Sequence, residues 1–159
     1  PEVDEELRRD ARVHLIGEEW NTPPLYAAMD VLALPTYREG FPNVLLEAAG
    51  MKVPVVATRV PGCTDAVQDD VTGKLVPPYD SGRLAAAVKE YLIDPELRRR
   101  HGTAARDWVL QEFRPQGIWQ AIHQEYVRCL RGKGLLPADD HGYEKRGNAE
   151  SDQSRAQCL

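Results

Sequence analysis

The sequence predicts an α/β protein built on a Rossmann-like parallel sheet with flanking helices, and three observations carry that expectation. Val31-Leu32-Ala33-Leu34-Pro35 and Val55-Val56-Ala57-Thr58 are short apolar runs with the length of buried strands. Between them, Asn43 to Lys52 spaces its apolar residues as one face of a helix. Strands of four or five residues that alternate with helices pair in parallel through crossover connections.

The elements follow in order. Pro1 to Asp10 is acidic and helix-like, and Arg12-Val13-His14-Leu15-Ile16-Gly17 reads as a strand ending in glycine. Thr22 ahead of Pro23-Pro24 looks like a cap with prolines in the first turn, opening a short helix with Leu25, Ala28 and Met29 on one side. After the strand at 31–35, the helix at 43–52 and the strand at 55–58, Pro61-Gly62-Cys63-Thr64 turns the chain into a brief helical segment. Lys74-Leu75-Val76, set off by Gly73 and Pro77-Pro78, completes a set of four expected strands.

Beyond Asp80 only helices are expected. Leu84, Val88, Tyr91 and Leu92 keep helical spacing, and Asp94-Pro95 caps and starts a helix carrying Leu97, Ala104, Ala105 and Trp108. Arg114-Pro115 breaks that helix, and Trp119, Ile122, Tyr126 and Leu130 form the stripe of the last one. Trp108 and Trp119, being on these stripes, are expected in the core. From Pro137 onward there is no Val, Ile, Phe, Trp or Met, so too little apolar surface is available to offset the entropy of ordering. The expected organisation is a domain over residues 1–131 and a polar, disordered tail over 132–159.

Composition bounds the function. With 159 residues, 42% of them hydrophobic, the chain suffices for one core. A net charge of −5 supplies no basic stripe for phosphate neutralisation, so no nucleic-acid partner is expected. No apolar run approaches the roughly 20 residues of a membrane-spanning helix, and no signal peptide opens the chain. Cys63, Cys129 and Cys158 are odd in number and widely spaced, which fits free thiols and a cytoplasmic location. His14, His101, His123 and His141 are scattered, and each is expected to be structural or exposed.

The chemistry concentrates in Arg38-Glu39-Gly40-Phe41-Pro42-Asn43-Val44-Leu45-Leu46-Glu47. Pro42 falls near the first helical position, and neither Gly40 nor Phe41 carries an oxygen that could cap the helix. The amides of Asn43 and Val44 then point at an anion site, with a carboxylate on either side of it. Strand, glycine turn and helix start together are where open α/β sheets bind ligands. No Asp-x-Asp or His-carboxylate cluster occurs, so neither a metal nor another cofactor is expected.

In its context this stretch resembles the C-terminal domain of the family-four retaining glycosyltransferases of the GT-B fold. The resemblance rests on Leu25-Tyr26-Ala27-Ala28-Met29-Asp30 before a strand, on Glu39-Gly40-Phe41 followed by Glu47, and on Pro54-Val55-Val56-Ala57-Thr58. It continues through Gly62, through Gly73-Lys74-Leu75-Val76-Pro77-Pro78 and through Asp80 opening a helix, and it extends from about Val13 to Leu130. It implies the incomplete C-terminal half of a GT-B fold that holds a nucleotide-diphosphate sugar as donor substrate. Glu39 would face the donor sugar near the reacting carbon, and Glu47 would accept hydrogen bonds from the ribose hydroxyls. Gly40, Phe41, Asn43 and Val44 would present backbone to the sugar and the diphosphate. Pro42 stands where many members have a second glycine, although the Arg-Glu-Gly-Phe-Pro form also occurs in the family.

A sugar leaving a nucleotide diphosphate builds negative charge on phosphate and positive charge on the ring, so donors and a nearby carboxylate are both called for. Retaining glycosidases hold two carboxyl groups only about 5 Å apart. Glu39 and Glu47 have different tasks and are expected farther apart, with Glu47 a turn and a half along the helix. The resemblance implies front-side attack by the acceptor, assisted by the departing phosphate. It also implies a diphosphate-binding Arg and Lys ahead of the first strand and an N-terminal domain for the acceptor, which are expected to lie outside this chain. Arg38 and Arg59 are the candidates for partial substitutes, and the isolated chain is expected to have little or no transferase activity.

Two functional classes are left open. One is a sugar transferase acting on a glycan or lipid-linked acceptor, with peripheral contact at the inner face of a membrane. The other is a non-catalytic nucleotide-binding or partner module. In either case an uncovered sheet edge invites self-association.

Overall fold

The computed structural model describes residues 2–136 and divides between Glu112 and Phe113 into two units, each described here by itself. The first unit opens with α1 (Glu2–Arg9), whose Arg8 and Arg9 pair with Asp4 and Glu5 one turn back. It continues through α2 (Pro23–Ala27), β1 (Leu32–Leu34), α3 (Asn43–Gly50), β2 (Val55–Thr58), α4 (Cys63–Ala66), β3 (Gly73–Val76), α5 (Ser81–Ile93) and α6 (Pro95–Glu112). The second unit holds α7 (Pro115–Gly132).

The three strands form one parallel sheet in the order β1-β2-β3. Leu32 faces Val55 across the first pair, and Val55 faces Gly73 across the second. All four residues of the central strand β2 are buried, as a run of apolar residues covered on both faces requires. One face packs Val55 and Ala57 with Leu45 and Ala48 of α3, Cys63 of α4 and Tyr26 of α2. The other packs Val56 and Val76 with Ala87 and Tyr91 of α5. Burying a side chain such as Leu45 stabilises the fold by about 1.5–3 kcal/mol relative to leaving it in water.

The α/β class and the parallel pairing are as the sequence predicts, while four details differ. The stretch 12–17 is not a strand: it pairs with no other backbone in the sheet, and Leu15 and Ile16 are exposed. Its β-like composition has no neighbour to act on, because a strand is stable only when its backbone donors and acceptors are shared. In α2 the buried residue is Tyr26, since the helix ends at Ala27 and leaves Ala28 and Met29 beyond it on the surface. In α5 the inward face is Leu84, Ala87, Val88 and Tyr91, and Leu92 points to solvent. Neither tryptophan is core: Trp108 is half-buried and Trp119 is 68% exposed, its stripe on α7 facing no other element of the second unit among the described residues.

The helix-starting signals are explicit. The Asp80 carboxylate accepts from the Arg83 amide at 2.8 Å, and the Asp94 carboxylate accepts from the Leu97 amide at 2.9 Å. Each bond satisfies a donor that the helix itself leaves orphaned. Helix α6 crosses the C-terminal end of α3, where a first side-chain carbon at Gly102 would lie 2.1 Å from the Lys52 carbonyl oxygen. Arg106 donates to the Gly50 carbonyl at the same crossing. The position and tilt of α3 are thereby fixed from behind. The proposed tail from residue 137 onward, with Cys158 and His141, lies outside the described residues.

Candidate functional site

The site is built where β1 leaves the sheet. Thr36 follows the strand, and its carbonyl accepts the Thr58 hydroxyl from the end of β2. The Thr36 hydroxyl in turn brackets Arg38, donating to its carbonyl at 3.2 Å and accepting from its amide at 3.4 Å. Glu39 comes next, half-buried, and Gly40 presses against Gly62. Gly62 has φ +82, and a first side-chain carbon there would sit 2.3 Å from the Gly40 carbonyl oxygen and 3.1 Å from that of Glu39. Only glycine both adopts that backbone and permits that approach. The loop bearing Glu39 is therefore set by contacts from β2 and from the entry to α4.

Helix α3 begins at Asn43, where the sequence reading starts it, and Pro42 is its N-cap in an extended conformation, not its first helical residue. The shift leaves the consequence intact, because Pro42 brings no side-chain oxygen and no side chain caps the helix. The Pro42 carbonyl accepts only the amide of Leu45, at 3.1 Å. Asn43 is exposed, while Val44 turns its side chain onto the core and offers backbone alone at the tip. Phe41 is 41% exposed on the approach to the helix. The eight-residue helix adds its aligned peptide dipoles to the orphan amides at this end.

Glu47 lies on the second turn of α3, about 6 Å along the axis from Asn43 at 1.5 Å per residue. Its carboxylate is exposed but tethered: the Tyr26 hydroxyl donates to Oε2 at 2.8 Å, and the Thr22 hydroxyl to the same oxygen at 3.4 Å. The sequence assigns Thr22 the task of capping α2. In the structure it makes no cap bond and turns to Glu47 instead. Burial, reinforced by the hydrogen bond to Glu47 and its charge, pushes the Tyr26 hydroxyl up to about 12, so it remains a donor at neutral pH. Glu39 and Glu47 thus take different neighbours, Glu39 beside Gly62 and the loop after β1, Glu47 beside α2.

Charge elsewhere is mostly committed. Arg59 pairs with Asp69 and donates to the Leu75 carbonyl at 3.3 Å, so it buttresses β3 and is not offered to a diphosphate. Arg38 is exposed and contributes its amide to Thr36. Cys63 is fully buried at the start of α4, and burial, with the Glu39 charge second, pushes its thiol up. It is a packing residue. Among the described residues no group of three or more His, Cys, Asp and Glu side chains gathers as a metal site. No described helix is long and apolar enough to cross a membrane.

Sequence reasoning missed three contributors. Tyr26 and Gly62 belong to the motifs that carry the resemblance, yet nothing in one sequence tells that Tyr26 reaches Glu47 or that Gly62 seats Gly40. The Thr58 hydroxyl on Thr36 is a contact between neighbouring strand ends, legible only once the strand order is known.

A parallel sheet carrying this loop and helix start at its carboxyl edge is the architecture of GT-B glycosyltransferases, and solved structures of that class superpose on it. Sucrose-phosphate synthase from Thermosynechococcus elongatus matches with a TM-score of 0.77 and 31% identity, covering 82% of this chain and 33% of that one. HepE from Anabaena, solved in complex with UDP-glucose, matches with a TM-score of 0.75 and 28% identity over 80% of this chain and 36% of that one. The capsular polysaccharide biosynthesis glycosyltransferase CapM of Staphylococcus aureus is 34% identical over 125 residues, 79% of this chain and 33% of its own length. Residues 1–94 match the family model described as glycosyl transferases group 1. The chain belongs to the glycosyl transferases group 1 family, and it spans about a third of the length of the CapM relative.

Proposed function

We propose that this chain is the donor-binding part of a retaining glycosyltransferase, which moves a sugar from a nucleotide-diphosphate sugar to a glycan or lipid-linked acceptor. The observation that carries the reading is the uncapped start of α3 at the carboxyl edge of the sheet, with Glu39 just before it and a tethered Glu47 one turn inside it. The amides of Asn43 and Val44 hold the diphosphate, and the helix dipole favours its charge. The backbone of Gly40 and Phe41 lines the sugar, Glu39 faces the sugar ring, and Glu47 accepts from the ribose hydroxyls. No metal or other cofactor takes part, because the helix tip supplies the stabilisation of the leaving diphosphate.

The reaction follows from those placements. The bond between the anomeric carbon and the diphosphate oxygen breaks, and its electron pair stays with the diphosphate. The acceptor hydroxyl attacks the same face, forming the new glycosidic bond and passing its proton to the departing phosphate oxygen. Glu39 offsets positive charge growing on the ring. Acceptor recognition requires protein beyond this chain, so the chain alone turns over little or no sugar. The reaction is assigned to the cytoplasm, in peripheral contact with the inner membrane face where a lipid-linked acceptor would lie. The outer edge of β1 carries no further strand among the described residues, which supports self-association through strand pairing when nothing covers it.

Calorimetric titration with UDP, GDP and ADP and with UDP-glucose tests the proposal. Binding that disappears in Glu47→Ala, accompanied by no measurable transfer of radiolabelled glucose, is the expected result. A folded chain that binds none of these nucleotides overturns it in favour of a partner-interaction module. Normal turnover by the chain alone overturns the assignment of the acceptor to other protein.

A further inference from the structure

Glu47 uses only one of its two carboxylate oxygens within the protein. Oε2 receives the Tyr26 hydroxyl at 2.8 Å and the Thr22 hydroxyl at 3.4 Å, and no protein hydrogen bond reaches Oε1 among the described residues. The three residues come from two elements that are distant in sequence: Thr22 and Tyr26 flank and form α2, while Glu47 rides on α3. Tyr26 is only 5% exposed and its ring belongs to the core that includes Leu45, Ala48 and Val55. A buried ring cannot swing, so its hydroxyl defines one fixed point for a carboxylate that is itself at the surface.

We propose that Tyr26 is a positioning residue for nucleotide selection. By holding Oε2, it turns Oε1 outward as the acceptor for the ribose hydroxyls and makes the site prefer ribonucleoside over 2′,3′-dideoxyribonucleoside diphosphates. The inference rests on the donor-site reading above and adds to it the residue that sets the strength of ribose recognition. Three physical steps support it. A free glutamate on a helix surface samples several rotamers, and fixing it at the moment of binding costs side-chain entropy. A hydrogen bond to an ionised carboxylate is shorter and stronger than a neutral one. A carboxylate has about four acceptor positions on its two oxygens, so occupying Oε2 still leaves Oε1 with its own for a vicinal pair of hydroxyls. Thr22, at the longer distance, guards the same oxygen and has the smaller share.

The discrimination also has a reason in desolvation. With the ribose hydroxyls present, Oε1 exchanges water for two donors. With them absent, an oriented carboxylate loses water to a sugar edge that returns nothing, a mismatch that a site built around a polar group rejects strongly. A mobile Glu47 would swing back to solvent and lose that rejection. Orientation by Tyr26 therefore raises affinity for the ribose form and does little for the dideoxy form.

The test is calorimetric titration of the full chain with UDP, or with GDP or ADP where wild type binds that base instead, and with the matching 2′,3′-dideoxynucleoside diphosphate, for wild type, Tyr26→Phe, Thr22→Val and Glu47→Ala, each first checked for folding by circular dichroism. Tyr26→Phe keeps the buried ring and removes only the hydroxyl. It is expected to weaken UDP about tenfold and to leave the dideoxy nucleotide within twofold, with Thr22→Val showing the same pattern to a smaller degree. Equal weakening of both nucleotides would mean that the hydroxyl merely supports the fold and would overturn the proposal. So would unchanged UDP binding in Tyr26→Phe alongside a loss in Glu47→Ala, an outcome that leaves the donor-site reading standing. If Glu47→Ala fails to erase the difference between the ribose and dideoxy forms, or wild type binds none of UDP, GDP and ADP, the donor-site reading falls and this inference falls with it.

Discussion

Gly62 seats Gly40: the backbone at the entry to α4 comes so close to the loop after β1 that a single added carbon at Gly62 would lie 2.3 Å from the Gly40 carbonyl oxygen, and Gly62 has φ +82. Gly62→Ala therefore meets two penalties, a left-handed backbone and a clash against main chain that cannot rotate away. Together they are expected to destabilise the protein by about 2–4 kcal/mol, a large part of a typical folding free energy. Urea unfolding checks the figure. UDP titration of the folded remainder should show weaker binding, because relieving the clash pushes Glu39 and Gly40 out of place.

A second glycine carries a purely architectural load. Gly102 of α6 lies against Lys52, where an added carbon would sit 2.1 Å from the carbonyl oxygen, and Lys52 itself has φ +61 at the end of α3. Gly102→Ala must lever α6 off α3 and is expected to cost about 1–3 kcal/mol as an overpacking change. The same variant should leave the ratio of UDP to dideoxy-UDP affinity unchanged, since Gly102 meets Lys52 and neither Tyr26 nor Glu47. A changed ratio would show that α6 reaches the site through α3.

Tyr37 and Tyr79 join the loops that follow β1 and β3. Their rings are stacked with centroids 4.4 Å apart and 13° between planes, although they are 63% and 81% exposed. Tyr79 adopts φ +63, uncommon for a residue with a side chain. A double-mutant cycle with Tyr37→Ala and Tyr79→Ala is expected to give a coupling of about 0.5–1 kcal/mol, the lower part of the range for aromatic pairs. Tyr79→Gly loses the same ring but relieves the backbone, so it should be more stable than Tyr79→Ala by about 1 kcal/mol. Urea midpoints decide both. Equal stability of the Gly and Ala variants would show that the left-handed backbone carries no strain.

What the sequence made legible were the features encoded locally. An apolar run marks β2 and helical spacing marks α3, the Asp-capped starts of α5 and α6 are side chain to backbone contacts three residues apart, and the bare tip of α3 is visible from what Gly40, Phe41 and Pro42 lack. Misreadings came where the outcome depended on a partner. Residues 12–17 have strand composition and no strand beside them, Thr22 has a capping side chain but a carboxylate within reach, and Trp119 has helical spacing with no facing surface among the described residues of its unit. The family's motifs lie on α2, the loop after β1, α3, β2 and β3, and none of them depends on those three features. The Tyr26 tether did not come into view, since it joins two residues whose separation in sequence follows no period.

Buried His101 gives stability a dependence on pH. Its Nδ1 is 2.8 Å from the Tyr91 hydroxyl, and both rings are buried where α5 meets α6. Burial first, then the positive charges of Arg100 and Lys74, hold its pKa below the ordinary 6.5, with Asp70 opposing. A histidine depressed in the folded state binds its proton more readily when unfolded. By linkage its contribution is fully present above the unfolded value of 6.5 and is lost as pH falls through that value toward the folded one. Asp69 behaves separately: burial pushes its pKa up, but the Leu75 amide and Arg59 outweigh that and hold it below 3.8, so its contribution is lost only in stronger acid. Urea midpoints measured from pH 8 down to pH 5 should therefore fall below about 6.5 in the wild type. In His101→Gln, which cannot take up a proton, the curve should be lower but flat across that interval. A wild-type curve that is equally flat would mean that His101 charges as easily in the fold as outside it.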